Sequence, residues 1–145
     1  MAPSPEANKA LVRRYFAELD KRNFAIIDEL IAEEYVDHNP SLPGMPAGRE
    51  GVRQSSLRLA GAFPDAVHTL EDQTAEGDKV MTRMTVRATF SGEIFGLAPS
   101  GNVVEVSGTA VHRIEDGKFV EHWAHMDMAG FMDQLSTAAP TDDGD

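Results

Sequence analysis

The stretch Asn102–Met126, NVVEVSGTAVHRIEDGKFVEHWAHM, decides the fold. Apolar and polar residues alternate on both sides of Glu115-Asp116-Gly117, the pattern of two half-buried strands joined by a tight connection. The strands are expected at about Asn102–Ile114 and Lys118–Met126. An x-Glu-Asp-Gly-Lys connection suits a type I turn followed by a left-handed Gly. Such a three-residue loop pairs Ile114 with Lys118, His112 with Val120 and Ala110 with His122. One face then carries Val104, Val106, Gly108, Ala110 and His112 beside Val120, His122, Ala124 and Met126. Being the more apolar, it is expected to look into a core or cavity. The opposite face carries Glu105, Val111, Phe119, Glu121 and Trp123. A half-apolar outer face of this kind is a candidate subunit interface.

Upstream, Val80, Thr82, Met84, Val86, Ala88 and Phe90 continue the two-residue period. Glu76-Gly77-Asp78 joins that strand to another at Val67–Ala75. Before Val67 the spacing is helical. Leu11, Tyr15, Phe16 and Leu19 mark a helix over about Glu6–Arg22, and Ile27, Leu30 and Ile31 a second over Phe24–Ala32. Val52, Ser56, Leu59, Ala60 and Phe63 mark a third, stopped at Phe63-Pro64-Asp65. EYVDHNP reads as a short strand halted by Asn39-Pro40, and SLPGMPAG as a loop. Met128, Phe131, Met132 and Leu135 form a closing amphipathic helix, with Asp127 as its N-cap. Helices followed by a meander of long strands predict an α+β domain. Its expected form is a cone-shaped barrel, a curved mixed or antiparallel sheet wrapped on the N-terminal helices. One domain is expected over residues 6–135, with flexible tails at 1–5 and 136–145.

Composition narrows the function. The 145 residues carry 13 Lys and Arg against 24 Asp and Glu, a net charge of −11. Asp142, Asp143 and Asp145 lie near the end of the chain, leaving −8 on the rest. A net-acidic chain without a basic cluster argues against nucleic acid or an anionic membrane as partner. No apolar run approaches the ~20 residues of a bilayer span. The start, MAPSPEANKA, has neither a basic nor an apolar leader region, so a cytoplasmic location is expected. With no cysteine, disulfides, Cys-ligated zinc and thiol nucleophiles are excluded. Nucleotide-binding, flavin and serine-hydrolase motifs are absent too. No cofactor is expected.

Two histidines on an apolar face are the chemical signal. Imidazole has an unperturbed pKa of ~6.5 and moves protons both ways near neutrality. His122 is the first choice as general acid/base, with His112 as its partner. Each also fits a structural reading, a core imidazole bonded to a nearby carbonyl. His38, ending its strand near the expected mouth, is a third candidate that would orient substrate; Asp37, of opposite parity, is read as solvated. Phe16, Met84, Ala110, Ala124 and Met126 are the expected pocket lining. His122-x-x-His125-x-Asp127 resembles a metal motif, but residues three apart on a strand point to opposite faces, so no metal is expected.

The segments YVDHNP (35–40), PAGREGVRQ (46–54), AFPDAVHTLEDQTAEGDKV (62–80), FSGEIFGLAPSGNVVEVSG (90–108) and VHRIEDGKFVEHWAHMD (111–127) together resemble the SnoaL-like polyketide cyclases. That family lies in the nuclear transport factor 2-like, ketosteroid-isomerase-like superfamily, and the resemblance spans about Leu11 to Leu135. It implies a cone-shaped fold whose members often pair through their sheets, here a homodimer. It also implies cofactor-free aldol-type ring closure of polyketide esters, with relatives acting as isomerases, dehydratases, epoxide hydrolases, hydroxylases or binders. In the family the acid/base is an aspartate assisted by a histidine on the neighbouring strand. Those positions are Ala124 and Ala110 here, and alanine transfers no proton. The reading is therefore a cyclase, isomerase or lyase using His122 and His112 on a hydrophobic, carbonyl-bearing small molecule. The alternatives are a noncatalytic pocket for a small apolar ligand and a cofactor-independent, hydroxylase-like member.

Overall fold

The computed structural model describes residues 4–139. Helix α1 (Pro5–Asp20) starts where Ser4 accepts a hydrogen bond from the Ala7 amide and Pro5 fills the first helical position. It buries Val12, Tyr15 and Phe16. Helix α2 (Ala25–Leu30) leads directly into strand β1 (Ile31–Asp37). The second helix is thus shorter than its apolar spacing predicts: Ile31 is buried as a strand residue. Helix α3 (Gly48–Ala62) is followed by β2 (Val67–Glu76), β3 (Lys79–Thr89), β4 (Val103–Glu115), β5 (Lys118–Met126) and α4 (Met128–Ser136). Asp127 caps α4 by accepting from the Gly130 amide. The expected tails are partly structured, since Pro5 and Ser136 lie in helices; residues 1–3 and 140–145 fall outside the described part.

The sheet order is β1-β5-β4-β3-β2, antiparallel except for the parallel pairing of β1 with β5. The fold is α+β with a mixed sheet, as expected. The sheet is not a closed barrel, because β1 and β2 do not pair and remain its two edges.

The decisive hairpin differs from expectation in its turn. Glu115 pairs with Lys118, so the loop is the two-residue Asp116-Gly117. Both residues have positive φ, 51° and 74°, as a type I′ turn requires. That turn alone would put His112 and His122 on opposite faces. A bulge in β5 restores the parity: Ile114 pairs with Phe119 but Arg113 with Glu121, leaving Val120 as the extra residue. His112 therefore faces His122 directly, and Ala110 faces Ala124. The two-residue turn itself sets Phe119 opposite Ile114 and so inward, where it is fully buried, instead of Val120.

Two apolar clusters form on the inner face. One joins Val12, Tyr15, Phe16, Ile27, Val80, Ile114 and Phe119; the other joins Leu42, Phe63, Ala88, Phe90, Val104 and Leu135. Between them the inner wall carries Ala110 and Ala124, and α3 presents Ser55 and Ala60. Side chains this small cannot fill the space between layers, and a hollow remains.

Candidate functional site

That hollow has a volume of about 1290 Å³. It exceeds the ~300–1,000 Å³ usual for small-molecule sites. Phe16, Met84, Ala110, Ala124 and Met126 all line it, together with His112 and His122. The two imidazoles come from adjacent strands, with ring centroids 4.7 Å apart.

His122 is oriented from the edge strand. The parallel register of β1 on β5 sets Asp37 opposite His122, and Asp37 Oδ1 lies 3.0 Å from His122 Nδ1. A carboxylate only accepts, so Nδ1 carries the proton and Nε2 is the basic nitrogen. Tyr35 stacks against the His122 ring at 6.2 Å. Burial, with Asp37 as a smaller cause, pushes both the Tyr15 and Tyr35 phenols well above their ordinary range. Both remain O–H donors lining the cavity.

His112 is a different kind of group. It is 2% exposed, enclosed by Tyr15, Phe16 and Phe119, and its Nδ1 has no hydrogen-bond partner. Burial, reinforced by neighbouring His122, holds its pKa well below 6.5. It is a neutral imidazole. Below about pH 6.5 the unfolded chain takes up a proton that the folded ring refuses. The stability tied to a neutral ring is therefore complete above that pH and is lost as the pH falls toward the depressed folded value. Urea unfolding at pH 7, 6 and 5 should show His112→Leu losing stability on acidification less steeply than the wild type, by up to ~1.4 kcal/mol per pH unit. Identical slopes would mean that this ring does not contribute.

The structure corrects the reading of His38 and Asp37. His38 does not line the cavity: its ring stacks on Trp123 at 4.9 Å and 8°, and its Nε2 donates to Glu121 at 2.7 Å. Since Asp37 faces inward to His122, the next residue must face outward. Parity was read correctly within this strand but with the wrong sign, because the partner of β1 is remote in sequence. Reasoning from sequence also missed His68. Its Nδ1 lies 2.6 Å from Asp20 Oδ1, and it lines the same cavity from the β2 side. A lone histidine in VHTLED carries no periodic signal that separates it from a surface residue; only the meeting of β2 with the end of α1 identifies it.

These features define a class: a small α+β protein whose helices and open sheet enclose an apolar cavity furnished with imidazoles, a carboxylate and phenols. The chain belongs to the SnoaL-like polyketide cyclase family, whose model matches residues 9–135. Among solved structures it is similar to TsrD from Streptomyces laurentii, with 33% identity, 88% of this chain and 93% of that chain covered, and a TM-score of 0.79. IdmH from Streptomyces antibioticus, a proposed polyketide cyclase, is 30% identical over 90% of this chain and 99% of its own, with a TM-score of 0.78. AclR from Streptomyces galilaeus, a proposed hydroxylase, is 26% identical over 97% and 88%, with a TM-score of 0.79. No curated protein matches the chain. No helix among the described residues is long and apolar enough to cross a membrane. The positions that the resemblance assigns to the family's Asp and His, Ala124 and Ala110, are direct cross-strand partners on the cavity wall. His122 and His112 form the next inward pair on that ladder, about 7 Å along it.

Proposed function

We propose that this protein is a cofactor-independent acid/base catalyst, a cyclase, isomerase or lyase, acting on a hydrophobic carbonyl-bearing small molecule of polyketide type. The observation that carries this reading is His122, bonded to Asp37 through Nδ1 at the wall of the apolar cavity. The carboxylate fixes the tautomer and stabilises the imidazolium formed on protonation, which makes Nε2 an effective base. Nε2 takes a proton from carbon next to a carbonyl, and the C–H electron pair becomes an enolate. The neutral His112 ring and the Tyr15 and Tyr35 phenols are the available donors for its oxygen.

From the enolate the three outcomes diverge. Attack on a second carbonyl carbon closes a ring, reprotonation at another carbon isomerises, and loss of a β-substituent completes a lyase reaction. His38, facing outward, takes no part. The compartment is proposed to be the cytoplasm. Met81, Val111 and Trp123, successive partners across the outer sheet face, support a homodimer formed there.

The first step is tested with 1,7-diphenylheptane-1,7-dione in D₂O, following deuterium entry beside the carbonyls by mass spectrometry. The wild type should accelerate exchange. Asp37→Asn keeps the shape but loses the charge that stabilises imidazolium, and should slow exchange by ~10²–10³-fold with an unchanged unfolding midpoint. Equal exchange with and without wild-type protein would sink the reading.

A further inference from the structure

The cavity holds a second carboxylate–imidazole pair, on the wall opposite to the one just described in sequence and in sheet position. Asp20 is the last residue of α1 and His68 the second of β2. Asp20 uses both oxygens on one residue: Oδ1 lies 2.6 Å from His68 Nδ1, and Oδ2 accepts from the His68 backbone N–H at 2.9 Å. The ring is thereby locked, with Nδ1 committed as donor and only Nε2 free to exchange a proton. Phe16 packs on His68 at 4.8 Å and on His112 at 6.0 Å, and His112 lies 4.7 Å from His122, so two rings separate the two carboxylate-bonded imidazoles.

Around the His68 ring stand the Asp20 carboxylate and the Phe16 ring, and the Arg22 guanidinium, bonded to the Leu19 carbonyl at the end of α1, lines the same cavity. The two carboxylate–imidazole pairs stand toward opposite ends of the sheet, on β2 and on β1 with β5, as a reaction needs when it removes a proton at one atom and delivers one at another.

We infer that His68, positioned by Asp20, is the second proton-transfer group of this cavity and, in ring closure, protonates the oxygen created when the new bond forms. This rests on His122 acting as the carbon base. His122 Nε2 takes the proton from carbon, and the enolate carbon bonds to the second carbonyl carbon. That carbonyl's π pair moves to its oxygen, which receives the proton from His68 Nε2. His122 ends protonated and His68 neutral; loss of one proton to water and gain of another restores both.

The same diketone separates the steps, because deuterium exchange needs only the base whereas formation of its six-membered aldol needs both groups. His68→Gln should lose ring closure by ~100-fold or more, a loss at least ~10-fold greater than any it shows in exchange. Asp20→Asn, which still accepts from Nδ1–H, should show the same split, with closure down by ~10-fold or more; it carries the test if His68→Gln does not fold. Undiminished closure in folded His68→Gln overturns the inference and leaves the proposed function standing. Exchange and closure falling together overturn it also, reducing the pair to a clip between α1 and β2. Absence of exchange in the wild type overturns the proposed function itself, and this inference with it.

Discussion

His122→Ala should abolish enolisation while leaving the protein folded. Removing a positioned general base typically costs ~10²–10⁴-fold, and the loss here is expected near the upper end. Of the other imidazoles, His112 is kept neutral by burial, His38 is on the far side of the sheet and His68 is held by Asp20 at the β2 side of the cavity. The fold should tolerate the change because the His122 side chain packs at the cavity wall, where its removal enlarges an existing space. Asp37 then keeps its charge without a partner beside Tyr15 and Tyr35, a modest cost at a site that water can enter. Deuterium exchange and a thermal melt on the same sample give the answer. Exchange at wild-type rate in a folded variant would move the base elsewhere.

Phe119→Ala should produce the largest loss of stability. Phe119 is fully buried, in edge-on contact with Tyr15 at 5.2 Å and 89°, and its ring lies 4.9 Å from His112. Truncating such a ring costs about 3–5 kcal/mol in lost transfer energy and residual cavity. For a chain of this size that lowers Tm by roughly 10 °C. There is a functional consequence as well: the vacated space lies beneath His112, where Nδ1 has no partner, and water entering there would ease its protonation. Calorimetry measures the first effect. A Tm within 2 °C of wild type, taken as roughly 1 kcal/mol or less, would show that the packing at this point is not what holds the hairpin to α1.

The two side chains are placed by neighbouring features of one hairpin, Phe119 by the two-residue turn and His122 by the extra residue in β5. The alternation of VVEVSGTAVHRI and the Asp-Gly turn made the hairpin legible, since each is a local property of the backbone. The bulge at Val120 was not legible, because it exists only to reconcile a two-residue turn with the burial of Ile114 and Phe119 on one side and of His112 and His122 on the same side. The expected three-residue loop reached the right face for both histidines by a different path, and misplaced Phe119 and Val120. The inward direction of Phe16, Met84, Ala110, Ala124 and Met126 followed from period alone, and all five line the cavity.

By itself the sequence determined the α+β class, the hairpin and the apolar face carrying two imidazoles, because period, turn chemistry and helix punctuation act over a few neighbouring residues. Only the tertiary structure decided which carboxylate serves which histidine. Asp37 meets His122 through a parallel pairing 85 residues away, and Asp20 meets His68 where a helix ends against a strand 48 residues on. Contacts of that kind are set by how whole layers dock, which leaves no periodic trace in the chain.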